Sequence, residues 1–251
     1  LEALFGESVT TSATGQPQVA SEAPATMEII SAEDIRRSGA TTIPDVLRTK
    51  SSLSVWQWTR STADVNVRGY NQDYSPRLLV LINGRQIYSD VYGNTNWQNV
   101  PVQLEEIRQI EVVEGPNSAL FGFNAVSGVI NIVTYNPLYD DVSSAGVRLG
   151  MDDYKQGHLV HTQKLGEKVG IRISGGAKSS DEFKNSPGAA PFYDPTQHQM
   201  SFDSIAQVTD NSQLRIEATK NKIKTADYAV IYTPFNTKGE TSSAKASYIA
   251  N

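Results

Sequence analysis

Residues 107–134 read IRQIEVVEGPNSALFGFNAVSGVINIVT, and this stretch decides the fold. Ile110, Val112 and Val113 mark a first strand, and Val129, Ile130, Ile132 and Val133 a second. Both runs are β-branched and nearly free of polar residues, as strands buried on both faces are. Between them Gly115-Pro116, Gly122 and Gly128 punctuate a tight turn, a short helical turn and a second turn. Any buried β-turn-β unit of an α+β domain could be built this way.

Working outward, the 251 residues allow one large domain or two ordinary ones. Hydrophobic residues make up 39% of the chain, with no apolar run near the ~20 residues a membrane-crossing helix needs. A polytopic helical protein is excluded, whereas a β-barrel is not, because its strands alternate. The net charge of −5 argues against a nucleic-acid binder. There is no cysteine, hence neither a disulfide framework nor a thiolate metal site. No basic segment followed by an apolar core opens the sequence, so any signal peptide is lacking or removed.

Residues 1–26 are rich in Ser, Thr, Ala, Gln and Pro and predict an extended leader. A short strand is expected at 27–30, then a helix opened by Ser31 with Asp34 three residues on and closed at Gly39. Thr42 starts a second helix, with Pro44 in its first turn and Ile43, Val46 and Leu47 on one face. Residues 64–70 alternate like a strand entering a turn. Leu78 to Ile82 read as a buried strand, and Asn83-Gly84 as a hairpin returning through 86–88. A polar loop over 89–99 and a short helix over 101–107 lead back to the opening stretch.

After Thr134 the texture changes to segments of about ten residues with alternating side chains. Val147, Leu149 and Met151 lie on one side and Arg148 on the other; Ile171 and Ile173 oppose Arg172 and Ser174. Met200 and Phe202 oppose Asp203, Leu214 and Ile216 oppose Arg215 and Glu217, and Ala244, Ala246 and Tyr248 mark one more segment. Connections at 165–167 and 210–211 are short, and those at 179–198 and 223–240 are expected to be long. A soluble sandwich would alternate as well.

Signature motifs of hydrolases, nucleotide-binding loops, zinc peptidases and EF-hands are absent. His158 and His161 stand three apart on an expected strand, so they point to opposite faces and share no metal. No clustered acid–base pair supports catalysis, and no cofactor is expected.

The run I-E-V-x-x-G-P-x-S-A-L-F-G-x-N-A-x-x-G-V-I-N-I-x-T resembles the end of the plug domain of TonB-dependent outer-membrane receptors. The two-helix segment 30–47, the Arg68-Gly69-Tyr70 triplet and L-V-L-I-N-G-R over 79–85 resemble other plug elements. Glu114 stands where many members carry arginine. The resemblance implies an α+β plug domain (27–140) followed by the N-terminal part of an antiparallel transmembrane β-barrel. Residues 141–251 would supply five or six of its strands, the rest coming from polypeptide outside this sequence. Within the leader, Glu7, Ser8, Val9, Thr10, Thr11, Ser12 and Ala13 resemble the TonB box, which adds as a strand to the energy-coupling partner TonB. The family implies import of a scarce ligand across the Gram-negative outer membrane, in contact with outer-membrane lipid. The usual ligands are ferric siderophores, with cobalamin, haem, other metal complexes and glycans as minority cases. Family topology puts three plug turns at the outward apex, making Trp58, Arg60, Tyr70, Gln72, Tyr74, Tyr92, Asn94, Asn96 and Trp97 ligand-binding candidates. Arg68, with Glu114, is assigned to a charge cluster between plug and barrel wall. The alternative is a soluble plug-like binding module without transport.

Overall fold

The computed structural model describes residues 9, 10, 12, 18–23, 25–69, 77–87, 93–122, 124–183, 192–228 and 234–250. The chain forms two compact units. The first holds 1–57, 63–97 and 107–134, and the second holds 58–62, 98–106 and 135–251.

In the first unit the strands are β1 (Val9–Thr10), β2 (Gln18–Val19), β3 (Thr26–Ser31), β4 (Ser54–Gln57), β5 (Ala63–Asn66), β6 (Leu78–Ile82), β7 (Arg85–Ile87), β8 (Ile107–Glu114) and β9 (Gly128–Thr134). The helices are α1 (Ala32–Ser38), α2 (Ile43–Lys50) and the single turn α3 (Ser118–Phe121). A five-stranded sheet in the order β3-β8-β9-β6-β7 forms the frame. All its pairs are antiparallel except β6 with β9. Register explains the core. Ile30, Ile110, Ile132 and Ile82 lie in one row, and Val112, Ile130 and Val80 lie on the same face. Each such fully buried side chain is worth about 1.5–3 kcal/mol of transfer free energy. The opposite face carries Leu79, Leu81, Val113, Ala125 and Val129, flanked by Met27 and Phe121.

Local chemistry sets the ends of these elements. The Ser31 hydroxyl accepts the Asp34 N–H, and the Asp34 carboxylate accepts the Ser31 N–H, a reciprocal cap on α1. The Ser31 hydroxyl, which also donates to the Asp34 carboxylate at 2.6 Å, and then the Ser31 N–H hold that carboxyl below its ordinary value. The Thr42 hydroxyl caps α2 by accepting from the Asp45 N–H. Asn83 and Gly84 both take positive φ, 48° and 73°, as the two-residue hairpin between β6 and β7 requires.

The second unit is one antiparallel sheet of β10 (Ser144–Leu149), β11 (Lys155–Leu165), β12 (Val169–Ser179), β13 (Thr196–Thr209), β14 (Ser212–Tyr228) and β15 (Pro234–Ala250), in sequence order. Its two faces are inverted relative to a soluble sandwich. Val147 and Met151 are 80% and 87% exposed, while Arg172 and Asp203 are each 3% exposed. Apolar side chains face out and polar ones face in, the signature of a transmembrane barrel wall. No helix among the described residues is long and apolar enough to cross a membrane, so any crossing is by strands.

Three expectations need correction. The helix over 101–107 contracts to a single 3-10 turn, Leu104–Glu106, with the Gln103 N–H donated to the Glu106 carboxylate. The long connection expected at 223–240 is mostly strand, because β14 runs to Tyr228 and β15 starts at Pro234. Lys224, Lys238 and Glu240 take outward positions that are apolar farther along the same strands, so alternation fails as a signal. The leader is not merely extended, since β1 pairs antiparallel with β2 and Thr10, Ser12 and Val19 are buried.

Candidate coupling and ligand sites

Of the leader residues singled out for coupling, Glu7, Ser8, Thr11 and Ala13 lie outside the described residues. Val9, Thr10 and Ser12 are packed onto the sheet of the first unit. The Val9 carbonyl accepts from Gln109 Nε2 at 2.9 Å. The Ser12 hydroxyl donates to Glu111 Oε2 and accepts from Asn131 Nδ2 at 3.0 Å. Gln109 Nε2 also donates to Glu111 Oε1 at 2.7 Å, and Asn131 Oδ1 accepts the Gly84 N–H at 3.3 Å. Glu111 and Asn131 are directly paired across β8 and β9, between Ile29 and Leu81 in the same row. A buried carboxylate in an otherwise apolar row is costly unless hydrogen-bonded, and the leader supplies part of that bonding. This network sits in two strands whose sequence is otherwise nearly free of polar residues, and it was not expected from their pattern. Its only signal was the polar pair Glu111 and Asn131 in step with apolar neighbours.

The ligand candidates divide. Tyr70, Gln72, Tyr74 and Tyr92 lie outside the described residues. Asn94, Asn96 and Trp97 belong to the first unit, where Asn94 is buried and the other two are half-buried. Trp58 and Arg60 belong to the second, in a turn closed by the Trp58 N–H on the Thr62 carbonyl at 3.0 Å. The Thr59 and Thr62 hydroxyls both donate to the Ala226 carbonyl at 3.2 Å. The Trp58 ring lies 6.4 Å from that of Tyr228, which meets Phe192 edge-on at 5.7 Å. The Arg60 guanidinium pairs with Asp152 and lies 4.7 Å over the Phe183 ring, while the Arg60 backbone N–H donates to Glu182 at 2.6 Å. Burial pushes the Glu182 carboxyl up. The Phe183 and Arg60 N–H groups and the Arg60 charge oppose that shift, and Asp194 adds to it. The Arg60 guanidinium is thus already engaged by the Asp152 carboxylate.

Arg68 and Glu114, assigned together from the sequence, meet within the first unit at 3.0 Å. Glu114 also accepts the Ser52 hydroxyl at 2.6 Å. That bond first, and Arg68 second, hold its carboxyl below the ordinary value against the opposing effect of burial.

Sequence reasoning missed a further buried network in the second unit. Glu106 Oε2 accepts the Ser174 and Ser201 hydroxyls at 2.7 and 3.1 Å and faces Arg172 Nε at 3.4 Å. Arg172 also donates to the Tyr135 carbonyl and pairs with Asp203 at 3.2 Å. Arg215 grips Asp203 through two bonds, at 3.0 and 2.7 Å. Beside it the Gln98 carbonyl accepts from Gln197 and Asn221, both at 2.9 Å. Segment 98–106 is thus fastened to the polar face of the sheet. Among the described residues no cluster of three His, Asp or Glu could hold a metal.

Comparison with known proteins decides what this architecture is. Residues 19–129 match the TonB-dependent receptor plug domain. The chain has the fold of the plug and first barrel strands of TonB-dependent receptors. It is 29% identical over 188 residues to the vitamin B12 transporter BtuB of Vibrio cholerae, covering 74% of this chain and 30% of that protein. The BtuB of Vibrio vulnificus is 28% identical over 184 residues, covering 72% and 29%. Among solved structures, the pyoverdine-bound FpvA of P. aeruginosa superposes with a TM-score of 0.74 at 15% identity, over 97% of this chain and 34% of that one. The ferric-catecholate receptor Fiu of E. coli K12 gives 0.64 at 18% identity, over 85% and 29%. The chain therefore spans about a third of the length of the relatives it matches. TonB-dependent receptors are outer-membrane proteins of Gram-negative bacteria and are transporters and receptors, not enzymes. The inverted faces of β10–β15 agree with that place.

Proposed function

We propose that the receptor built on this chain imports a scarce metal chelate, most simply a ferric siderophore, across the outer membrane with energy supplied through TonB. In this reading residues 1–26 are the leader with its coupling segment, 27–140 the plug and 141–251 the first barrel strands. The observation that carries it is that the second unit's sheet buries its polar face and exposes its apolar face, in a chain whose residues 19–129 match a receptor plug. The amphipathic Trp58 ring and the cation of Arg60, both in one turn of the second unit, suit a medium-sized polar chelate. Arg60 would exchange Asp152 for anionic oxygens of the ligand. Cobalamin is the competing cargo, because the curated relatives carry vitamin B12.

A receptor deletion strain grown on a panel of ferric chelates, cobalamin and copper separates these cargoes. Loss of growth on one or more iron chelates, restored by the intact gene, supports the proposal. Loss on cobalamin alone replaces siderophore by B12, and growth unchanged throughout the panel overturns import of a metal chelate.

A further inference from the structure

The outward face of β14 and β15 changes character toward one end. On β14 the outward positions Leu214, Ile216 and Ala218 are followed, in the same alternation, by Lys220, Lys222 and Lys224. On β15 Tyr248, Ala246 and Ala244 give way to Ser242, Glu240 and Lys238. Register sets Lys222 opposite Glu240 and Lys224 opposite Lys238, with the exposed His198 of β13 beside Lys222. Glu240 takes Lys220 at 2.7 Å and Lys222 at 3.1 Å. The ammonium groups of Lys224 and Lys238 lie 4.6 and 5.5 Å from the centroid of the Tyr193 ring. One carboxylate thus stands among four lysines, in a chain whose total charge is −5.

The end of the sheet fixes what this patch faces. At this end 5, 16 and 5 residues separate successive strands (Leu149 to Lys155, Ser179 to Thr196, Tyr228 to Pro234), and at the other end only 166–168 and 210–211 do. Barrel strands of the outer membrane are joined by short turns on the periplasmic side and longer loops outside. The lysines therefore continue the lipid-facing apolar surface into the headgroup layer of the outer leaflet. They stand on the outward face, away from the polar face where cargo would pass. Alternate residues on a strand are about 7 Å apart and neighbouring strands about 5 Å, a spacing that serves several phosphates at once. The Tyr193 ring fixes two of the ammonium groups in advance, which lowers the ordering cost of binding.

We propose that Lys220, Lys222, Lys224 and Lys238 form a docking surface for the phosphorylated glycolipid headgroups of the outer leaflet. This rests on the membrane orientation of the strands and is independent of the imported cargo. Each lysine near an anionic headgroup layer contributes roughly a fivefold change in affinity.

The test titrates the whole purified receptor in neutral detergent with diphosphorylated lipid A, counting bound lipid by native mass spectrometry. The variant Lys220→Gln/Lys222→Gln/Lys224→Gln/Lys238→Gln should bind at least about tenfold more weakly. A control, Lys164→Gln/Lys168→Gln at the opposite end, should match the parent protein. The single charge reversal Lys224→Glu repeats the measurement in a chain altered at one half-buried site, and trypsin resistance reports folding of every variant. Dephosphorylated lipid A should bind the parent protein as weakly as the diphosphorylated form binds the quadruple variant. Equal binding of lipid A by the parent, the folded quadruple variant and Lys224→Glu would overturn the proposal. So would equal binding of the dephosphorylated lipid, or full displacement of lipid A by millimolar inorganic phosphate, which would mark a simple anion site.

Discussion

Replacing Arg172 by methionine removes the cation from the buried network beneath segment 98–106. Glu106 and Arg172 are 1% and 3% exposed at their side chains, so neither finds water in exchange. Orphaning one member of a fully buried pair costs about 3–5 kcal/mol. Here the loss is smaller, because Glu106 keeps the Ser174 and Ser201 hydroxyls and the Gln103 N–H, and Asp203 keeps both bonds from Arg215. We expect about 2–3 kcal/mol, concentrated on the attachment of segment 98–106. The reporters are the Glu106 amide, which donates to the Gln103 carbonyl at 3.1 Å, and the Tyr135 amide, which donates to the Glu106 carbonyl at 3.0 Å. Their hydrogen exchange in the whole receptor should quicken roughly thirty- to a hundredfold, with amides of β8 and β9 far less affected. Adding Glu106→Gln should recover part of the loss by removing the stranded charge. Unchanged exchange at both amides, or a double variant as labile as the single one, would refute the assignment.

Three other outcomes follow from the same contacts. Ser12→Val leaves Glu111 and Asn131 without their leader partner, at about 1–3 kcal/mol. Because the chain lacks cysteine, a nitroxide placed through Val9→Cys reports this cleanly. Its spectrum should sharpen in the Ser12→Val background, and an unchanged spectrum contradicts the role given to Ser12. A Cβ at Gly170 would lie 2.1 Å from the Pro137 carbonyl oxygen and 2.3 Å from its carbon, so Gly170→Ala must displace the chain around 136–138. We expect about 1–3 kcal/mol of destabilisation and faster proteolysis near those residues, and parental resistance would speak against the close approach. Glu114 has a folded value below its ordinary 4.5, so its contribution is present above that value and is lost as pH falls through the lower folded one. Denaturant melts from about pH 6 to 3 should show a loss that Glu114→Gln flattens, and identical slopes would remove the carboxylate from the account.

Where signals are local, the fold was legible. The Ser31–Asp34 cap, the Thr42 cap and the Asn83-Gly84 hairpin each rest on residues within three positions of one another, and each formed as read. The two strands of the opening stretch likewise pair as neighbours. What escaped depends on register between distant segments. Glu111 meets Asn131 and Ser12, and Arg172 meets Glu106 and Asp203, only after the sheets are assembled. Alternation along β12–β14 showed two faces but could not say which was buried, because a sandwich and a barrel wall share the same period. The exposure of Val147 and the burial of Arg172 settle that. Lys222, Lys224, Thr237 and Lys238 broke the alternation, so the far ends of β14 and β15 read as loop although their register continues to Tyr228 and Pro234.

Energy-coupled import is the central claim, and Val9→Pro tests it most directly. Val9 pairs with Val19 on the neighbouring strand and lies in the segment proposed to add to TonB. Proline there removes a backbone donor and fixes φ, which strand addition does not tolerate. In cells lacking the native receptor, binding of a radiolabelled ferric chelate to the surface should stay at the parental level. Its accumulation in the cytoplasm should fall to that of a strain without TonB. Accumulation at the parental rate by a properly inserted Val9→Pro receptor would contradict the account.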